Sequence, residues 1–296
     1  MTKILTYSQI QQQKYANPQD FYPVAELFQE GGAQLLKQNI IQGATNYGSF
    51  IDGRHTEISD IDAVILNDNP IDLINSQTWQ QIMQTFKNHH IDFSPVIIRP
   101  DDIISKRASF SFMQSLKHND KRWHIGQDPV ALYFQHYNQK DQVRGLSVVM
   151  SDYNRQFVEP LIYQSSLISN PNPAQTVELL ISGFKETYRS FLNINSIQTE
   201  SSISMQDLSF SNFKQIFPDL MSNFEYRLLD NVDEFQSEYS RRLHYYFQNH
   251  SSLDLESEYS SFLDSIVVMA PLVIKFIQNV RSQVLNTSNQ LVINHQ

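Results

Sequence analysis

Strand and helix periods alternate in the hydrophobic spacing until about residue 150 and then give way to helical spacing alone, and that change limits the possible folds more than any other feature. Before it, short β-branched runs alternate with helical patterns. Ile61 to Leu66 (IDAVIL) closes in Asn-Asp-Asn-Pro and reads as a strand entering a turn. Ile91 to Ile98 reads as another, ended by Arg99-Pro100, with shorter strands expected at Ala44 to Tyr47 and Arg122 to Ile125. Helical spacing covers Val24 to Ile41, where Gly31-Gly32 suggests one helix with a soft centre or two short ones. It returns over Ile71 to Phe86, over Ile103 to Leu116 and from about Pro129. Beyond residue 150 the spacing is helical almost throughout, with long helices expected over Phe224 to Phe247 and Leu255 to Val284. The Ser/Gln/Asn-rich stretch Asn195 to Gln206 reads as a loop. The expected architecture is an α/β (α+β) domain over residues 1–150, with a mixed twisted sheet, followed by an all-α helical bundle over residues 151–296.

The bulk numbers narrow the function. Hydrophobic residues make up 41% of 296, enough for two cores of ordinary size. Net charge is −9, and the 22 Lys and Arg are spread thinly, so a long nucleic-acid duplex is a disfavoured partner. A nucleotide, a strand end or a cationic small molecule remains open. The absence of cysteine excludes disulfides, thiolate metal sites and a Cys nucleophile. The apolar run Ser265 to Ile274 falls short of the roughly 20 residues a membrane span needs, and reads as a core helix bent or broken near Pro271. With no apolar leader at the N-terminus, the expectation is a soluble, cytoplasmic protein without a membrane partner.

Chemistry concentrates in Tyr47 to Leu66, YGSFIDGRHTEISDIDAVIL. Gly48-Ser49 sits where a strand should end and a helix could begin. There glycine lets the backbone approach a phosphate, while N–H groups and the Ser49 hydroxyl can bind its oxygens. Asp60 and Asp62, two apart at a strand start, point to one face. Two carboxylates on one face can hold Mg²⁺, which prefers oxygen ligands and bridges nucleotide phosphates. Asp92 begins the next strand and is expected beside the pair, where it would help take the proton from an attacking hydroxyl or share a second metal.

Gly-Ser followed by Asp-x-Asp on the next strand resembles the pattern of the DNA polymerase β-like nucleotidyltransferase superfamily. Tyr47-Gly48-Ser49, Ile51-Asp52-Gly53 and Ser59-Asp60-Ile61-Asp62 are similar, without a gap, to the aminoglycoside adenylyltransferases that modify streptomycin and spectinomycin. The resemblance covers roughly residues 24–140. It implies that Ser49 binds the phosphates of ATP, that Asp60 and Asp62 bind Mg²⁺, and that Asp92 occupies the position of a catalytic carboxylate, normally Glu in that family. The turn Gly126-Gln127-Asp128 also fits the family's first domain. The acceptor implied is a small molecule of aminoglycoside type; a protein or RNA end is the alternative, and a catalytically inactive nucleotide-binding module a further one.

Each of these residues has an ordinary reading beside the chemical one. Arg54 and His55, in the loop between the motif halves, could touch phosphate or be plain loop residues, and Asp52 could simply hold the loop through backbone N–H groups. His89-His90 cannot share a metal from a strand, because adjacent side chains point to opposite faces. Lys185 and Arg189, one helical turn apart, could steady a triphosphate or form a solvated face.

Overall fold

The computed structural model describes residues 4–12, 16–51, 53, 55, 59–107, 113–117, 122–153, 155, 173–201, 203, 207–248 and 253–293. The chain is mixed α/β and divides into two compact units. One is contiguous, Lys14–Gln142; the other joins Met1–Gln13 to Val143–Gln296. Helix α1, Tyr7–Gln12, therefore belongs with the second unit rather than with the first domain expected over residues 1–150.

The first unit is built on a four-stranded mixed sheet in the order β3-β2-β1-β4, with β1 Gly43–Tyr47, β2 Asp60–Leu66, β3 Asp92–Ile98 and β4 His124–Gly126. β1 runs antiparallel to both β2 and β4, whereas β2 and β3 are parallel. The parallel pair requires a crossover, which two helices supply: α3 Pro70–Asn75 and α4 Gln77–Asn88. The single helix expected over Ile71 to Phe86 is interrupted because Ser76 is extended (φ −67°, ψ 130°) and its hydroxyl accepts the Trp79 N–H. An N-cap starts a new helix without disturbing the apolar spacing on either side.

β2 lies between neighbours on both edges and is buried on both faces. Ile61, Ala63 and Ile65 join one core with α2 (Phe21–Lys37) and α4. Val64 and Leu66 join another, which includes Ile98 and is covered by α5 (Pro100–Ile104), α6 (Met113–Lys117) and α7 (Pro129–His136). The helix expected over Ile103 to Leu116 is thus represented by α5 and α6, with residues 108–112 outside the description. Helix α2 runs unbroken through Gly31-Gly32. A Cβ on Gly31 would meet Ile82 Cδ1 at 2.7 Å, and one on Gly32 would meet Ile125 Cδ1 at 2.4 Å. The glycines are a packing seam against α4 and β4, not a soft centre.

The second unit is helical among its described residues. α8 is Gln139–Tyr153, within which the two units divide. The others are α9 Pro173–Gln198, α10 Phe210–Ile216, α11 Asn223–Gln248, α12 Leu253–Val267 and α13 Ala270–Ile293. α9 continues to Gln198, four residues into the stretch read as a loop. Its Phe184 ring stacks edge-on to Phe210 at 4.7 Å and lies 5.1 Å from Phe276, so α9, α10 and α13 share an aromatic core. By length and composition alone, Leu255–Val284 is apolar enough to cross a membrane. It is two helices, parted at Val268-Met269 just ahead of Pro271, with Leu263, Ile266, Val273, Phe276 and Val280 buried. Segment Ile4 to Gln12 docks onto this unit through tyrosines: the Tyr239 hydroxyl accepts the Leu5 N–H at 2.9 Å, and the Tyr259 hydroxyl donates to the Leu5 carbonyl.

Candidate active site

The sheet brings the motif residues to one end and one face. In the parallel pair, Asp60 is the register partner of Asp92 and Asp62 that of Ser94. Across the antiparallel pair, Tyr47 is the partner of Asp62, so the chain leaves β1 through Gly48-Ser49 beside that carboxylate. Side chains at register-matched positions share a face. Asp60, Asp62, Asp92 and Ser94 therefore continue the face whose far end, at Val64, Leu66, Val96 and Ile98, is sealed by α5, α6 and α7. Among the described residues the apolar half is covered by these helices, while at the acidic half Asp60 and Asp62 are half-buried and Asp92 is exposed.

Gly48 makes the closest approach. Its φ is +88°, a region natural to glycine, and a Cβ there would lie 2.1 Å from Asp62 Oδ2. Any side chain at position 48 would displace the carboxylate. Burial pushes the Asp62 carboxyl up to about 7, with the neighbouring Asp60 adding to the rise.

After Gly48 the backbone does not start a helix. Ser49 to Ile51 form a turn, in which the Gly53 N–H bonds the Phe50 carbonyl at 3.0 Å. Phe50 and Ile51 are buried in the core shared with α2 and α4. His55 enters the same side, its ring centroid 4.7 Å from Phe21, 5.5 Å from Phe50 and 5.7 Å from Tyr22. The loop is thus pinned at its base by aromatic packing, and His55 serves that packing. Arg54 and Asp52 lie outside the described residues.

One feature of the site carries no mark in the sequence. Arg122 forms a bidentate pair with Asp128, Nη1 to Oδ1 at 2.9 Å and Nη2 to Oδ2 at 2.7 Å, and both side chains are only 14% exposed. Arg122 also donates to the Leu116 carbonyl at 3.1 Å, while Asp128 accepts the Val130 N–H at 3.0 Å and so caps α7. Burial acts to raise the Asp128 carboxyl, but the Arg122 and Val130 hydrogen bonds outweigh it and leave the group below its usual range. The turn Gly126-Gln127-Asp128 is visible in the sequence; the ion pair behind it depends on a tertiary fold-back.

The remaining candidates have other occupations. His89 Nδ1 is 2.9 Å from Asp20 Oδ2, and His90 is left-handed (φ 55°) at the turn into β3. Lys185 and Arg189 are on α9 in the helical unit, both half-buried. Tyr188 beside them donates to Asp233 Oδ1 at 2.9 Å; burial raises its phenol, with Arg189 opposing and Asp233 adding to the effect. A cavity of about 150 Å³ between α2 and α4, lined by Leu27, Phe28, Gln34, Gln81 and Ile82 among others, opens on the opposite face of the sheet from the acidic row.

Among the described residues no three His, Cys, Asp or Glu side chains converge closely enough to hold a metal ion as a cage. The donor set nonetheless suits Mg²⁺. That ion is commonly held by one or two carboxylates and completes its shell with water and substrate phosphates. Asp60 and Asp62 supply two carboxylates on one face, and a bound cation would offset the burial and mutual repulsion that raise the Asp62 carboxyl. No family model matches the chain, and no curated protein matches it.

Proposed function

We propose that the chain is a nucleotidyltransferase that moves AMP from ATP to an acceptor hydroxyl and releases pyrophosphate, with Asp60 and Asp62 as the Mg²⁺ ligands. The observation that carries this reading is the acidic row at one end of the sheet, with Asp62 packed against the bare backbone of Gly48. Bound Mg²⁺ would neutralise charge on the triphosphate. The Gly48-Ser49 turn would contribute N–H groups and a hydroxyl to the phosphate oxygens. Arg54, in the same loop, is a candidate for a further phosphate contact. Asp92, register partner of Asp60, would accept the acceptor's proton as its oxygen forms a bond to the α-phosphorus and the bond to pyrophosphate breaks.

This arrangement would make the sheet unit a nucleotidyltransferase fold of the DNA polymerase β type. The acceptor we propose is a small molecule of aminoglycoside type, met in the cytoplasm; the net charge of −9 suits a polycation. AMP transfer to a protein or an RNA end is the second reading, which the thin spread of cations favours less for RNA. The test is pyrophosphate release from MgATP with a panel of aminoglycosides, using Asp62→Asn as the control. Release that needs one drug and vanishes in the variant is expected. Full activity in Asp62→Asn would overturn the assignment, and metal-independent ATP binding would favour an inactive nucleotide-binding module.

A further inference from the structure

We infer that Tyr22 is the stacking platform for the base of the bound nucleotide, an inference that rests on the nucleotidyltransferase reading above. The course of α2 places it. Leu36 lies against Gly126, Gly32 against Ile125, and the Phe28 ring is 5.4 Å from Trp123 and 4.9 Å from Phe93. Phe93 is the register partner of Ile61, one residue from the paired Asp60 and Asp92. Falling residue numbers thus carry α2 along the sheet toward its acidic end. Tyr22 precedes Phe28 by six residues, about 9 Å of helix, and so extends past the strand starts.

The phosphate-side turn reaches the same place. From Gly48, in contact with the Asp62 carboxylate, to Phe50 is two residues, at most about 7 Å. The Phe50 ring is 5.1 Å from that of Tyr22, and His55 meets the same ring at 5.7 Å and 80°. These neighbours hold the phenol ring in place, yet Tyr22 remains 58% exposed. Among the described, exposed large apolar side chains of the sheet unit (Tyr22, Leu27, Ile71, Ile74, Met83 and Ile104), it is the only aromatic one. A braced, solvent-facing ring beside a phosphate-binding turn is what a base needs for stacking, and stacking on an aromatic face tolerates any base. Tyr22 accordingly adds affinity without choosing between purines.

The test is calorimetric binding of MgATP, MgGTP and magnesium tripolyphosphate to the whole chain, comparing wild type, Tyr22→Ala, Tyr22→Phe and Asp62→Asn. Tyr22→Ala is expected to weaken ATP and GTP alike by about tenfold and to leave tripolyphosphate unchanged, while Tyr22→Phe stays within about twofold of wild type. Unchanged ATP affinity in Tyr22→Ala overturns the inference. So does an equal loss for tripolyphosphate, which would mean that the ring only props the turn. If wild type binds MgATP and Asp62→Asn loses the metal dependence while Tyr22→Ala behaves as wild type, the catalytic reading stands and the platform falls. If wild type binds no MgATP, both fall.

Discussion

Removing the charge of Asp62 should make the protein more stable at neutral pH, although it destroys the proposed activity. The carboxyl is pushed from 3.8 up to about 7 by burial and by Asp60. That displacement corresponds to at most about 4 kcal/mol of preference for the protonated form. Water reaching a half-buried group reduces the figure, so about 2 kcal/mol is a reasonable lower value. The sign follows from proton binding. Between pH 4 and 7 the native state holds a proton at Asp62 that the unfolded chain has already lost, so stability falls as pH rises through that window. The amide that replaces the carboxyl in Asp62→Asn does not titrate, so the difference between variant and wild type isolates this group from the other carboxylates. Both tryptophans, Trp79 and Trp123, lie in the sheet unit, so their fluorescence during urea unfolding follows that unit alone. With chelator present, Asp62→Asn should match wild type near pH 4 and exceed it by about 2–4 kcal/mol at about pH 8. Millimolar Mg²⁺ should recover part of the gap in wild type and nothing in the variant. Equal stability of the two proteins at the higher pH would refute the reasoning.

Other consequences are open to the same measurements. Arg122→Ala leaves Asp128 largely buried without its partner and should cost about 3 kcal/mol, whereas Arg122→Ala with Asp128→Ala should cost less than the two single changes together. Gly43→Ala would place a Cβ 1.9 Å from the Gln127 carbonyl oxygen, a backbone atom that cannot swing aside, and a loss of about 2–3 kcal/mol in urea unfolding is expected. Tyr239→Phe strands the buried Leu5 N–H and should lower the stability of the helical unit, read by circular dichroism, by about 1–2 kcal/mol while leaving the tryptophan transition in place.

What can be read in the sequence follows from whether the cause is local. IDAVIL announces β2 because a central strand is apolar on both faces, and Asp60-x-Asp62 announces a shared face because side chains on a strand alternate. That Asp92 starts the strand beside the pair is an expectation of the motif order, whereas its exact partner, Asp60, depends on the crossover register, which the sequence does not carry. Gly31-Gly32 misleads because a glycine chosen for close packing looks in sequence like one chosen for flexibility. Ser76 misleads for the opposite reason: the apolar period runs straight across a helix break. Gly48-Ser49 suggests a helix start, since phosphate-binding glycines often precede helices; here Phe50 and Ile51 turn into the core instead. The role of the first residues is not legible at all, because their partners, Tyr239 and Tyr259, are more than 200 residues away.

That last separation has a consequence for synthesis. A ribosome delivers the whole sheet unit once Gln142 has emerged, so this unit can fold on its own schedule. The helical unit closes on its N-terminal segment only after Tyr259 appears, on the order of ten seconds later at ordinary elongation rates. Throughout that interval Ile4, Leu5, Tyr7 and Ile10, all buried in the finished protein, are apolar groups awaiting a surface that does not yet exist. The nascent chain therefore passes through a half-built stage in which a folded head trails a sticky leader, the stage at which a chaperone would have most to hold.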